Sequence, residues 1–117
     1  MINTNYKKVC MKFYTGLFAL AVTEGVKEVN KLRAEGATED YGPCGFATIS
    51  LPKANTKFAK WARQHTNVFK KDEWRSGVHW WVGEYNQSLL FKEAFAMGVA
   101  RCLGEHGIDA YYTSRMD

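Results

Sequence analysis

The chain has 117 residues, of which 46% are hydrophobic and 15% aromatic, and a formal net charge of +4. That is enough apolar material for one packed core, which argues against a disordered chain and against several domains. No apolar run approaches the ~20 residues that span a bilayer, since the longest, Leu17 to Val22, is broken by Thr23 and Glu24.

That run also lacks a signal-peptide cleavage pattern, so the chain reads as unprocessed and cytoplasmic, with no membrane partner. The three cysteines, Cys10, Cys44 and Cys102, are odd in number and widely spaced. They form no CxxC pair and no Cys/His cluster with zinc spacing, and read as reduced thiols with no metal site.

From Met11 to Ala34 the residues Phe18, Val22, Val26, Val29 and Leu32 recur at helical spacing. Glu24, Lys27, Glu28 and Lys31 occupy the opposite face, which predicts an amphipathic helix stopped at Gly36. Residues 1–10 are polar and lead into it. Residues 35–43 are a loop rich in glycine and acid. In 44–51, Phe46, Thr48 and Ser50 alternate with Ala47, Ile49 and Leu51, the period of a strand.

Pro52 ends that strand and can open a second helix over 53–66. Phe58, Trp61 and His65 lie on one side of it, and Lys53, Lys57 and Lys60 on another. Residues 67–77 read as an irregular loop. Val78 to Tyr85 is β-branched and aromatic, hence a second strand. Asn86 or Ser88 can cap a third helix running to about His106, with Phe91, Phe95 and Cys102 inward and Gly107 as its stop. Residues 109–114 form a last strand. Alternating helix, strand, helix, strand, helix, strand predicts a single α+β (or small α/β) domain over residues 1–117. A small sheet is covered by helices and joined by crossovers, with pairing order open. Phe58, Trp61, Phe91, Phe95, Cys102 and Ile49 are expected to share one core.

Three stretches, GPCGFATISLP (42–52), GVHWWVGEYNQS (77–88) and KEAFAMGVARCLGEHGIDAYYTSRMD (92–117), cover about two thirds of the chain. They resemble a group of short phage-encoded proteins. Those proteins carry a CGFA-like strand, a strand leading to a Gln-Ser helix start, a KEA helix and a GI-x-A-x-x-S-R ending. The resemblance implies a phage setting, with the host cytoplasm as the place of action, and a compact α+β domain. It transfers no catalytic residue.

Chemistry could reside first in Cys44, between Pro43 and Gly45, with His79 as its base. Such a pair would resemble the Cys/His layout of small papain-like peptidases, acting as a hydrolase. Those enzymes place the cysteine at a helix start, however, and the pattern here is a strand; a small buried hydrophobe is the plainer reading. His106, beside the predicted helix end, suits that C-terminus electrostatically. Glu84, Glu93 and Glu105 form no recognisable pair. No phosphate loop or dinucleotide fingerprint is present, so no cofactor is expected.

The charge is concentrated. Between positions 53 and 75 lie Lys53, Lys57, Lys60, Arg63, Lys70, Lys71 and Arg75 against Asp72 and Glu73, so the segment carries +5 and the rest of the chain −1. Trp74 lies inside it, and Trp80 and Trp81 just beyond. Cations neutralise phosphates and exposed aromatics stack on bases, which points to nucleic acid or an acidic host protein as partner. The plainer reading is a solvated helix face with the tryptophans in the core. A homo-oligomeric structural subunit, joined through its aromatics, is the remaining expectation.

Overall fold

A computed structural model describes residues 4–39 and 42–117. The elements follow in the expected order: α1 (Thr4–Ala34), β1 (Gly45–Leu51), α2 (Lys57–His65), β2 (Val78–Trp81), α3 (Leu89–Glu105) and β3 (Tyr111–Met116). Among the described residues no helix is long and apolar enough to cross a membrane.

The sheet order is β2-β1-β3, and both pairings are antiparallel. α2 links the antiparallel neighbours β1 and β2, whereas α3 carries the chain across β1 from β2 to β3, two strands that run parallel without pairing; every hydrogen-bonded pair in the sheet is antiparallel. This places the domain in the α+β class rather than α/β. The core joins Ile49 and Leu51 of β1 to Phe91, Phe95, Val99 and Cys102 of α3, with Phe58 and Trp61 of α2 beside them. All six residues expected in the core are there.

The first helix starts earlier than its apolar pattern, at Thr4, because 4–10 contain neither Gly nor Pro to stop it. Its buried stripe is also turned: Leu17, Ala21 and Val29 are buried, Phe18, Val22 and Leu32 half-buried, and Val26 exposed. The cause is a close crossing. A Cβ on Gly98 of α3 would lie 2.7 Å from the Glu24 carbonyl oxygen, and one on Gly25 would lie 2.9 Å from that of Phe95. The smallest residues set the rotation, so Glu28, expected on the solvent face, is only 9% exposed. It is held by Lys31 Nζ and Arg101 Nη1, each at 3.0 Å.

Two helix ends share one device. Gly36 and Gly107 adopt φ of 97° and 84°, and the following N–H groups of Ala37 and Ile108 donate back to the carbonyls of Leu32 and Leu103. The second helix is shorter than expected. It starts at Lys57 because Thr56, with extended backbone, caps it by accepting from the Ala59 N–H at 3.2 Å; Lys53 therefore precedes the helix. The second strand stops at Trp81. Val82 N–H still reaches the Ala47 carbonyl, but Tyr85 and Asn86 then turn with φ of 69° and 53° into the Ser88 cap of α3.

Candidate nucleic-acid interface

α2 has a strongly sided composition. Phe58, Ala59, Trp61 and Ala62 are buried, whereas Lys57, Lys60 and Arg63 are exposed on the other face. His65 is exposed with its ring 5.8 Å from that of Trp61. Lys53 lies exposed just before the helix, and Lys70 and Lys71 lie exposed in the loop that follows. Among the described residues none of these six cations has a carboxylate within 4.0 Å; the ion pair of the segment is Arg75–Asp72, at 2.7 Å. The other side of the molecule differs. Lys27, Lys31, Arg33 and Arg101 are each paired with Glu24, Glu28, Glu39 or Glu105. Positive charge is thus paired at Lys27, Lys31, Arg33 and Arg101, though not at Lys12 of α1 or Lys92 of α3, and is left without an ion pair at the six cations around α2 among the described residues.

The loop before β2 is tied to the sheet. Lys70 and His79 exchange two backbone hydrogen bonds of 2.8 and 2.9 Å, which covers the outer edge of β2. The loop then sets Trp74 and Arg75 at the sheet face that α3 leaves uncovered. Strand alternation and register place Phe46 and Thr48 of β1, Trp81 of β2, and Thr113 and Arg115 of β3 on that face. Together these residues line an open groove of about 230 Å³. Trp74 is 72% exposed and Trp81 42%. Trp80, by contrast, points into the core against Phe95.

The groove is a row of stacked planes and cations. The Arg75 guanidinium lies 4.9 Å from the Trp74 ring centroid and 5.6 Å from that of Trp81. Trp81 meets Phe46 edge-on at 6.3 Å, and Arg115 lies over Phe46 at 5.5 Å. Phe46 is also steadied by the buried Lys92, whose Nζ is 5.7 Å from its ring and donates to the Gly45 carbonyl. Arg75 Nε is taken by Asp72, but its buried Nη2 has no hydrogen-bond partner among the described residues.

Cys44 and His79 are not brought together. His79 pairs with Ser50, six positions along β1 from Cys44, or about 20 Å at the usual strand rise. Both ring nitrogens of His79 are occupied, by Ser50 Oγ and the Ser76 carbonyl. Cys44 is exposed and bridges to Ser88, the cap of α3, in a shallow hollow lined by Glu39, Pro43 and Asn86 and no histidine. Its place near a helix start was hidden in the sequence, because the helix concerned is 44 positions away.

Cys102 is buried, and burial pushes its thiol pKa up. His106 ends α3 with Nδ1 donating to the Cys102 carbonyl at 2.9 Å, a helix-end role. Glu93 accepts from Ser114 and Glu105 pairs with Arg101. Among the described residues no group of His, Cys, Asp or Glu could hold a metal ion. Cys10 lies where side chains are not described.

The chain matches no family model, no curated protein and no solved structure.

Proposed function

We propose that this chain is a small phage-type accessory protein that works by binding nucleic acid in the host cytoplasm through its basic-aromatic segment, 53–75. The observation that carries the reading is the division of charge. Six cations, Lys53, Lys57, Lys60, Arg63, Lys70 and Lys71, have no carboxylate partner among the described residues, while Lys27, Lys31 and Arg33 of α1 and Arg101 of α3 are paired. An unpaired cation gains most from a phosphate, because binding releases the counterions condensed on the nucleic acid and breaks no internal ion pair. The exposed indole of Trp74 at the end of the same segment adds a surface on which bases can stack.

The test is binding of labelled DNA and RNA by fluorescence anisotropy, for the protein and for the double variant Lys57→Glu, Lys60→Glu. Both positions are exposed, so the fold should survive. The double variant should bind all sequences more weakly, since phosphate contacts position a protein without reading bases. Absence of nucleic-acid binding at low salt would remove this reading. Capture of an acidic host protein, lost in the same variant, would assign the face to that partner instead.

A further inference from the structure

The groove across the open face of the sheet lies partly outside the basic segment: Phe46, Trp81 and Arg115 come from the strands. Its volume, about 230 Å³, is below the roughly 300–1,000 Å³ of sites that hold drug-sized ligands. It therefore has room for one flat ring system at a time, with the rest of a longer ligand lying outside it. Its walls are indole and phenyl faces, and its charges are the guanidinium groups of Arg75 and Arg115. A ligand complementary to that lining is planar and aromatic and carries an anion, which is the chemistry of a nucleotide.

We infer that this groove takes unpaired nucleotides of a single strand, one base stacking on Trp74 at the end of the Trp74–Arg75–Trp81 row. The inference rests on the nucleic-acid reading above and adds the form of nucleic acid. Three features support it. The Trp74 ring is largely open, and its stacking partner within the protein, Arg75, is one it can share with a base. Arg115 is exposed, so its guanidinium can meet phosphate or the edge of a base. In a duplex the bases are stacked on each other and their flat faces are closed to an indole. Only an unpaired base can add itself to the row.

The experiment compares a short single-stranded oligonucleotide, the duplex of the same sequence and a mononucleotide, at one salt concentration. Binding is read from tryptophan emission for the native protein and from anisotropy of labelled strands for variants. The native protein should prefer the single strand, with emission quenched as the base covers Trp74. Trp74→Ala should weaken single-strand binding by about 5- to 100-fold and leave duplex binding unchanged, and Trp74→Phe should restore most of the loss.

Equal effects of Trp74→Ala on single strand and duplex, or none on either, would overturn the groove while leaving the basic face intact. Trp74-dependent binding that ignores Lys57→Glu, Lys60→Glu would keep the groove and overturn the basic face. A mononucleotide bound as tightly as the oligonucleotide would make this a site for free nucleotides and overturn the single-strand assignment. No binding of any of the three would overturn both readings.

Discussion

Ser50 Oγ lies 2.8 Å from Nδ1 of His79, and both side chains are buried. The Nε2 of the same ring lies 2.8 Å from the Ser76 carbonyl. A carbonyl can only accept, so Nε2 carries a proton, and in the neutral ring Nδ1 accepts from the serine hydroxyl. The histidine thus joins β1, β2 and the end of the loop that delivers Trp74 and Arg75. Ser50→Ala should leave Nδ1 buried and unsatisfied, at a cost of about 1–3 kcal/mol in urea unfolding. A loss of only a few tenths would show that the pair contributes nothing to holding the sheet.

Cys44 should behave as an accessible thiol that owes nothing to a histidine. It is exposed while Cys102 is buried, so an alkylating reagent should label Cys44 before Cys102 in the folded protein. His79→Ala should not change the Cys44 rate, because the two residues lie near opposite ends of β1. Mass spectrometry of partly alkylated protein reads both points. A Cys44 rate that collapses in His79→Ala would revive the thiol–imidazole pair.

Two glycines of α3 should respond to alanine with opposite signs. At Gly98 a Cβ would lie 2.7 Å from the Glu24 carbonyl oxygen and 2.8 Å from the Gly25 Cα. Backbone atoms cannot swing aside, so Gly98→Ala must push α1 away from α3 and should cost about 1–3 kcal/mol or more. At Gly104 a Cβ meets nothing within 4 Å. Gly104→Ala should stabilise by about 0.5–1 kcal/mol through helix propensity alone. Thermal unfolding of the two variants side by side checks the sign of each.

What was legible in the sequence follows from where the information sits. The element order and the glycine stops at Gly36 and Gly107 were readable because capping and periodicity are local. The rotation of α1 was not, because it depends on Gly25 meeting Gly98, 73 positions away. Glu28 accordingly looked solvent-facing. Trp74 and Arg75 were visible as part of a basic-aromatic segment. Phe46, Thr48 and Arg115 were missed as their partners, since only the β2-β1-β3 order brings them together. The alternation of Phe46, Thr48 and Ser50 was the available signal: a strand with polar and aromatic residues on one side has a face that is not wholly core.

Acid should weaken the α1–α3 contact in a definite direction. Hydrogen bonds from Lys31 and then Arg101 hold the Glu28 carboxyl below its usual range. A carboxyl whose folded value is depressed contributes stability that is fully present above its unfolded pKa and is lost as pH falls through the folded one. The melting temperature of the native protein should therefore fall as pH drops below the ordinary carboxylate range. Arg101→Ala removes a partner of Glu28 and should flatten that part of the curve. Parallel curves for the two proteins would mean that the Glu28 cluster does not contribute to acid sensitivity.

Salt separates the two components of the proposed binding. If four or five of the unpaired cations meet phosphates together, the affinity for a single strand should fall with a log–log slope of about −3 to −3.5, and for duplex of about −3.6 to −4.5. Lys57→Glu with Lys60→Glu removes up to two of those contacts and should make the single-strand slope shallower by up to about 1.4. Trp74→Ala removes stacking, which displaces no counterion, so it should lower single-strand affinity while leaving the slope unchanged. Slopes and intercepts from titrations at several salt concentrations therefore report the basic face and the groove independently. A slope near zero in the native protein would remove the phosphate contacts. An unchanged intercept in Trp74→Ala would remove the stacked base.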